Sequence, residues 1–90
     1  MNNVMIAQIP VPSEILKGDW YGTVYAIDTE SETQAQHDFE VAHHVGMIIE
    51  EYNNRNQYSV SLREVKRELV FVDERTNHYC TLVQFIVRDS

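Results

Sequence analysis

Between Ser31 and Tyr52 apolar side chains recur at helical spacing, over a longer run than anywhere else in the 90-residue chain. At 100° per residue, Ala35, Phe39, Val41, Ala42, Val45, Gly46, Ile48, Ile49 and Tyr52 fall on one half of a helix. Gln36, His37, Glu40, His43, His44, Met47, Glu50 and Glu51 fall on the other. Ser31 and Gln34 have capping-box spacing, Glu30 and Glu32 lie where the positive end of the helix dipole favours acids, and Asn53 and Asn54 stand as the stop. A helix this amphipathic is stable when docked, so the rest of the chain has to supply a matching apolar surface.

That surface is predicted to be a sheet. Trp20 to Ile27 is rich in aromatic and β-branched residues, with Trp20, Val24 and Ala26 on one face and Tyr21, Thr23, Tyr25 and Ile27 on the other. Tyr79 to Val87 alternates Tyr79, Thr81, Val83, Phe85 and Val87 against Cys80, Leu82, Gln84 and Ile86. Between them, Gln57 to Val72 alternates, slips near Glu64 and resumes. A long strand with a β-bulge accounts for the slip, and a short helix capped by Ser61 and Glu64 competes with it. The bulged strand is favoured because Tyr79 to Val87 needs a partner of similar length, reached through the polar turn Asp73 to Asn77. Residues 1–19, with Pro10 and Pro12, read as an extended arm or edge strand, followed by one helical turn from Glu14 to Lys17 between Ser13 and Gly18.

The expected fold is therefore α+β: a three-stranded, possibly four-stranded, antiparallel sheet with one long helix on one face, in β-α-β-β order, residues 20–90 forming the domain and 1–19 the arm. The first and last of these strands are apolar on both faces, whereas one helix covers one face. The second cover is the arm or another copy of the chain, and a two-fold homodimer is the expected form. The order strand, long helix, long hairpin over residues 20 to 88 resembles the dodecin-like small flavin-binding proteins in topology. The resemblance implies an alternative function, a homo-oligomer binding a flavin-like aromatic ligand, for which Trp20, Tyr25 and Phe85 are the available stacking groups.

Charge changes the picture more than composition does. Of the net −7, the chain up to Asn54 carries −8, with Lys17 as its one cation, and the remainder carries +1. Such a field repels phosphate backbones and attracts basic partners, so direct nucleic-acid binding is not expected, although Arg63, Lys66, Arg67 and Arg88 form a mixed basic strip. One cysteine excludes an intramolecular disulfide framework, the start carries no basic and apolar leader, and no apolar run spans a bilayer. A cytoplasmic protein is expected.

Candidate chemistry is sparse. His37, Glu40 and His44 follow one helical strip at metal-ligand spacing but lack a fourth ligand and read as solvated face. Asp28, Glu30 and Glu32 alternate like the start of a calcium loop, yet Thr33 stands where that loop needs glycine. His78 and Cys80 share a strand face, but Cys80 lies in a core-like run where cysteine behaves as a small hydrophobe. With no catalytic constellation, no metal site and no cofactor motif, the sequence points to a non-enzymatic interaction module. It would act as a regulator or inhibitor, a class that includes the nucleic-acid charge mimics of some phage and mobile elements, and present Asp28, Glu30, Glu32, Glu40, Glu50 and Glu51 to a basic protein partner.

Overall fold

A computed structural model of the chain describes residues 3–56 and 60–89. The elements are β1 (Val4–Ile9), β2 (Thr23–Glu30), α1 (Gln34–Arg55), β3 (Val60–Asp73) and β4 (His78–Asp89). The strands form one antiparallel sheet in the order β1-β2-β4-β3, and α1 packs on one face of it. The α+β fold is as expected, with the N-terminal arm supplying a fourth strand, so the order is β-β-α-β-β. No helix among the described residues is long and apolar enough to cross a membrane.

The hairpin forms as the alternation predicts. β3 shifts register against β4 between Glu64 and Lys66 and again between Leu69 and Phe71, so two bulges absorb the broken pattern and no helix interrupts the strand. Gln57, Tyr58 and Ser59, where the expected strand began, lie outside the described residues. Asn77 closes the turn at φ 59°, a left-handed conformation that asparagine tolerates, and the Asp73 carboxylate accepts from the Arg75 N–H at 3.1 Å. β2 starts at Thr23 rather than Trp20. Gly22, just before it, has φ 71°, and a Cβ there would stand 2.5 Å from the Phe85 carbonyl oxygen on β4. Ser13 and Leu16 make a tight turn (Leu16 N–H to the Ser13 carbonyl, 3.2 Å) in place of the expected helical turn.

Both ends of α1 lie two to three residues later than expected. Ser31 does not cap, because its hydroxyl turns inward to Thr29 and its N–H donates to the Asn77 carbonyl at 2.8 Å. The cap is Thr33, whose Oγ1 accepts from the Gln36 N–H at 3.2 Å while Gln36 Oε1 accepts from the Glu32 N–H at 2.9 Å. At the other end Asn53 and Asn54 do not stop the helix. Asn53 Oδ1 instead accepts the Leu62 N–H of β3 at 2.8 Å, and Asn56 is the C-cap.

The helix is also turned, by roughly 60° at 100° per residue, from the orientation its apolar residues suggest. Val41 and Val45 pack on Ile27, Leu62, Val83 and Phe85, with Ile48, Ile49 and Tyr52 beside them. His37 joins the buried side, and Phe39, Ala35, Ala42 and Gly46 face solvent. The two sheet faces are assigned as the alternation predicts. The face away from α1 is covered by the arm: Trp20, Val24 and Leu82 form a second buried cluster with Ile9, Val11 and Leu16. Trp20 is held there by its Nε1–H on the Lys17 carbonyl at 2.9 Å and by Lys66 Nζ, 4.1 Å from the ring centroid and 2.7 Å from the Asp19 carbonyl.

Candidate functional site

Among the described residues, a buried polar cluster centres on His37. Its Nδ1 is 2.7 Å from Thr29 Oγ1 on β2 and its Nε2 is 2.7 Å from Thr81 Oγ1 on β4, and Thr29 is in turn 2.8 Å from Ser31 Oγ. All four residues are buried. Either neutral tautomer satisfies the chain of hydroxyls, since each threonine can donate or accept. Burial lowers the His37 pKa below the ordinary 6.5, partly offset by the charges of Asp38 and Asp28. The imidazole is thus neutral and fully engaged. This separates it from Glu40 and His44, which approach each other at 3.7 Å, so the three-residue metal strip does not assemble. No group of three or more His, Cys, Asp or Glu residues is placed to hold a metal among the described residues.

The six carboxylates expected at a partner surface are divided. Asp28 is half-buried on the arm face of the sheet, and Glu30 and Glu32 are exposed where β2 leads into α1. Glu40 is half-buried mid-helix beside His44, and Glu50 and Glu51 are exposed in the last third, Glu51 3.7 Å from Arg55. At 1.5 Å per residue, Gln34 and Glu50 stand about 24 Å apart along the axis, and Glu30 and Glu32 precede Gln34. A single chain therefore presents two acidic ends and not one patch.

The arm face holds an open groove of about 620 Å³ between the arm and β3, lined by Ile9, Ile15, Leu16, Lys17, Ala26, Glu68, Leu69, Val70, Cys80 and Leu82. Burial raises the Cys80 pKa, with a further contribution from Asp28, which keeps the sulfur as a thiol and works against a nucleophilic role. The stacking groups considered for an aromatic ligand are already used: Phe85 is fully buried with Tyr25 edge-on to it at 5.8 Å, and Trp20 lies under Lys66. The basic strip is split as well. Strand alternation puts Lys66 on the arm face and Arg67 on the helix face, where Glu64 holds it at 2.6 and 2.8 Å.

Sequence reasoning missed the outward stripe of α1. Phe39 and Met47 expose 71% and 52% of their surface there, and Ala35, Ala42 and Gly46 lie beside them. The heptad spacing of 35, 39, 42 and 46 was the available signal, hidden inside an apolar half assigned wholly to the core. No family model, characterised protein or solved structure matches the chain, so the dodecin-like topology has no further support.

Proposed function

We propose that the protein is a non-enzymatic interaction module that meets a basic protein partner through the carboxylates at the ends of α1, in the manner of a small regulator or inhibitor. The state of those acids supports the reading. Glu30, Glu32, Glu50 and Glu51 are exposed, and of the four only Glu51 has an ion-pair partner among the described residues. Acids left in water cost little to the fold and remain available to a cationic surface, where they steer encounter more than they hold the complex. Charge mimicry of the phage or mobile-element kind is the narrowest form of the idea. The test is association of a lysine-rich peptide followed by stopped flow across a salt series. The on-rate is expected to fall with salt and to fall again in Glu32→Lys/Glu50→Lys, while reversing Glu74 and Asp89 leaves it unchanged. An on-rate indifferent to both salt and the helix charges removes the acidic surface from the function.

The groove favours a second reading, a carrier of a small apolar ligand, because its volume falls within the range of small-molecule sites. Its described lining residues include no aromatic ring, so the ligand class is aliphatic and not flavin-like. Saturable binding of a fluorescent fatty-acid analogue, lost in Leu82→Glu, separates this reading from the first.

A further inference from the structure

The bonding groups on the outer side of β1 can be assigned residue by residue. Glu30 donates its N–H to the Asn3 carbonyl at 2.9 Å, so positions 3, 5, 7 and 9 direct their backbone to β2, and Val4, Ile6 and Gln8 direct theirs away from the sheet. Among the described residues nothing bonds these three N–H and three C=O groups. The next outward position is Pro10, which has no N–H and ends the row of donors. The side chains beside the row are uncharged on both faces, with Ile6 exposed on the helix face and Met5 and Ala7 exposed on the arm face. Charge enters at one end. Asp28 and Glu30 of β2 line a hollow of about 180 Å³ together with Asn3, Met5 and His78, and its described lining includes no lysine or arginine.

We propose that β1 is the docking edge for an extended segment of the basic partner. The segment adds antiparallel to β1, with an uncharged centre opposite Ile6 and a lysine or arginine at the end that passes Asn3. One added strand satisfies all three outward positions at once. In this orientation the C-terminal end of the guest passes Val4 and Asn3, and at about 4.8 Å between strands it lies about 9.6 Å from β2. A basic and an acidic side chain together cover that span, so a cation there reaches Asp28 and Glu30 over Met5. A second copy of the chain fits less well, because β1 carries no cation and antiparallel self-pairing brings only its Gln8 to Pro10 end to the two acids. The inference deepens the reading above and rests on it for the sign of the partner's charge. Exposed acids steer the encounter, and the strand edge supplies the bonds that hold the complex.

The probe is a short peptide of alternating valine and threonine that ends in a pair of lysines. On binding to the full chain, amide exchange at Val4, Ile6 and Gln8 is expected to slow in nuclear magnetic resonance spectra. Methylating the peptide nitrogens that face β1 removes the guest's donors without touching the protein, and is expected to raise Kd about tenfold or more. Glu30→Lys is expected to weaken the same peptide several-fold and to leave unchanged a peptide whose lysines are replaced by glutamine. Binding that keeps its salt dependence but ignores methylation overturns the edge and leaves the acidic-surface reading standing. Binding that falls on methylation but ignores salt and Glu30→Lys overturns the charged end, and with it the reading above, while the strand pairing stands. Self-association of the chain that the peptide dissolves makes a second copy the occupant and overturns the proposal.

Discussion

The ring of His37 lies against that of Tyr79, with centroids 5.4 Å apart and planes inclined by 24°. The contact joins the first turn of α1 to β4, on the helix side of the sheet where Thr29 and Thr81 are buried.

Acid should therefore destabilise the fold through His37. Its folded pKa lies below the unfolded value near 6.5, so between the two the unfolded chain binds more protons. The stabilising contribution is complete above the unfolded pKa and is lost as pH falls through this window towards the folded value. Urea unfolding at pH values between about 8 and 5 is expected to show the loss, and His37→Gln to flatten it. An acid limb that survives the substitution unchanged assigns it to other groups.

Gly22 and Gly46 should respond to alanine in opposite directions. Gly22→Ala forces a Cβ onto the Phe85 carbonyl at a positive φ and should cost about 2 kcal/mol or more. Gly46→Ala meets open space and should stabilise the dilute monomer by up to about 1 kcal/mol. Thermal melts of both variants at one low concentration give the comparison.

Core and outer faces of α1 separate in the same way. Ile27→Ala, beneath the helix, should cost about 2–5 kcal/mol, and Phe39→Ala no more than about 0.5 kcal/mol in the dilute monomer. Equal losses in denaturant titrations would show that Phe39 packs inward after all.

Lys66→Met should loosen the arm. It removes the ammonium over Trp20 and the bond to the Asp19 carbonyl, together about 1–2 kcal/mol at this partly exposed site. Trp20 emission is expected to shift to longer wavelength and become easier to quench, with little change in far-ultraviolet circular dichroism.

Most of the fold was legible because strand alternation is local. Tyr79 to Val87 divides its side chains between the two faces as written, and the broken pattern at Glu64 marks a real bulge. The rotation of α1 was not legible, since it depends on what the sheet offers. Histidine takes an inner position because Thr29 and Thr81, 52 residues apart, present hydroxyls on either side of it, and no count of apolar residues on the helix contains that information. The arm was readable as extended from Pro10 and Pro12, but its pairing with β2 is a long-range choice. The acids were readable as a charge imbalance. Their division between two helix ends follows from the helical rise once the helix is known.

The sheet's two outer edges differ in kind. β3 carries two bulges with Arg63, Lys66, Arg67 and Glu68 along it, the usual devices that discourage another strand from adding. β1 reads Val-Met-Ile-Ala-Gln-Ile, has no charge and no bulge, and leaves its outer backbone groups unpaired by the sheet. Crowding therefore has a direction in this molecule. Any strand that adds to the sheet, from a foreign peptide or an unfolding neighbour, extends it on the N-terminal side, away from the hairpin and the outward stripe of the helix.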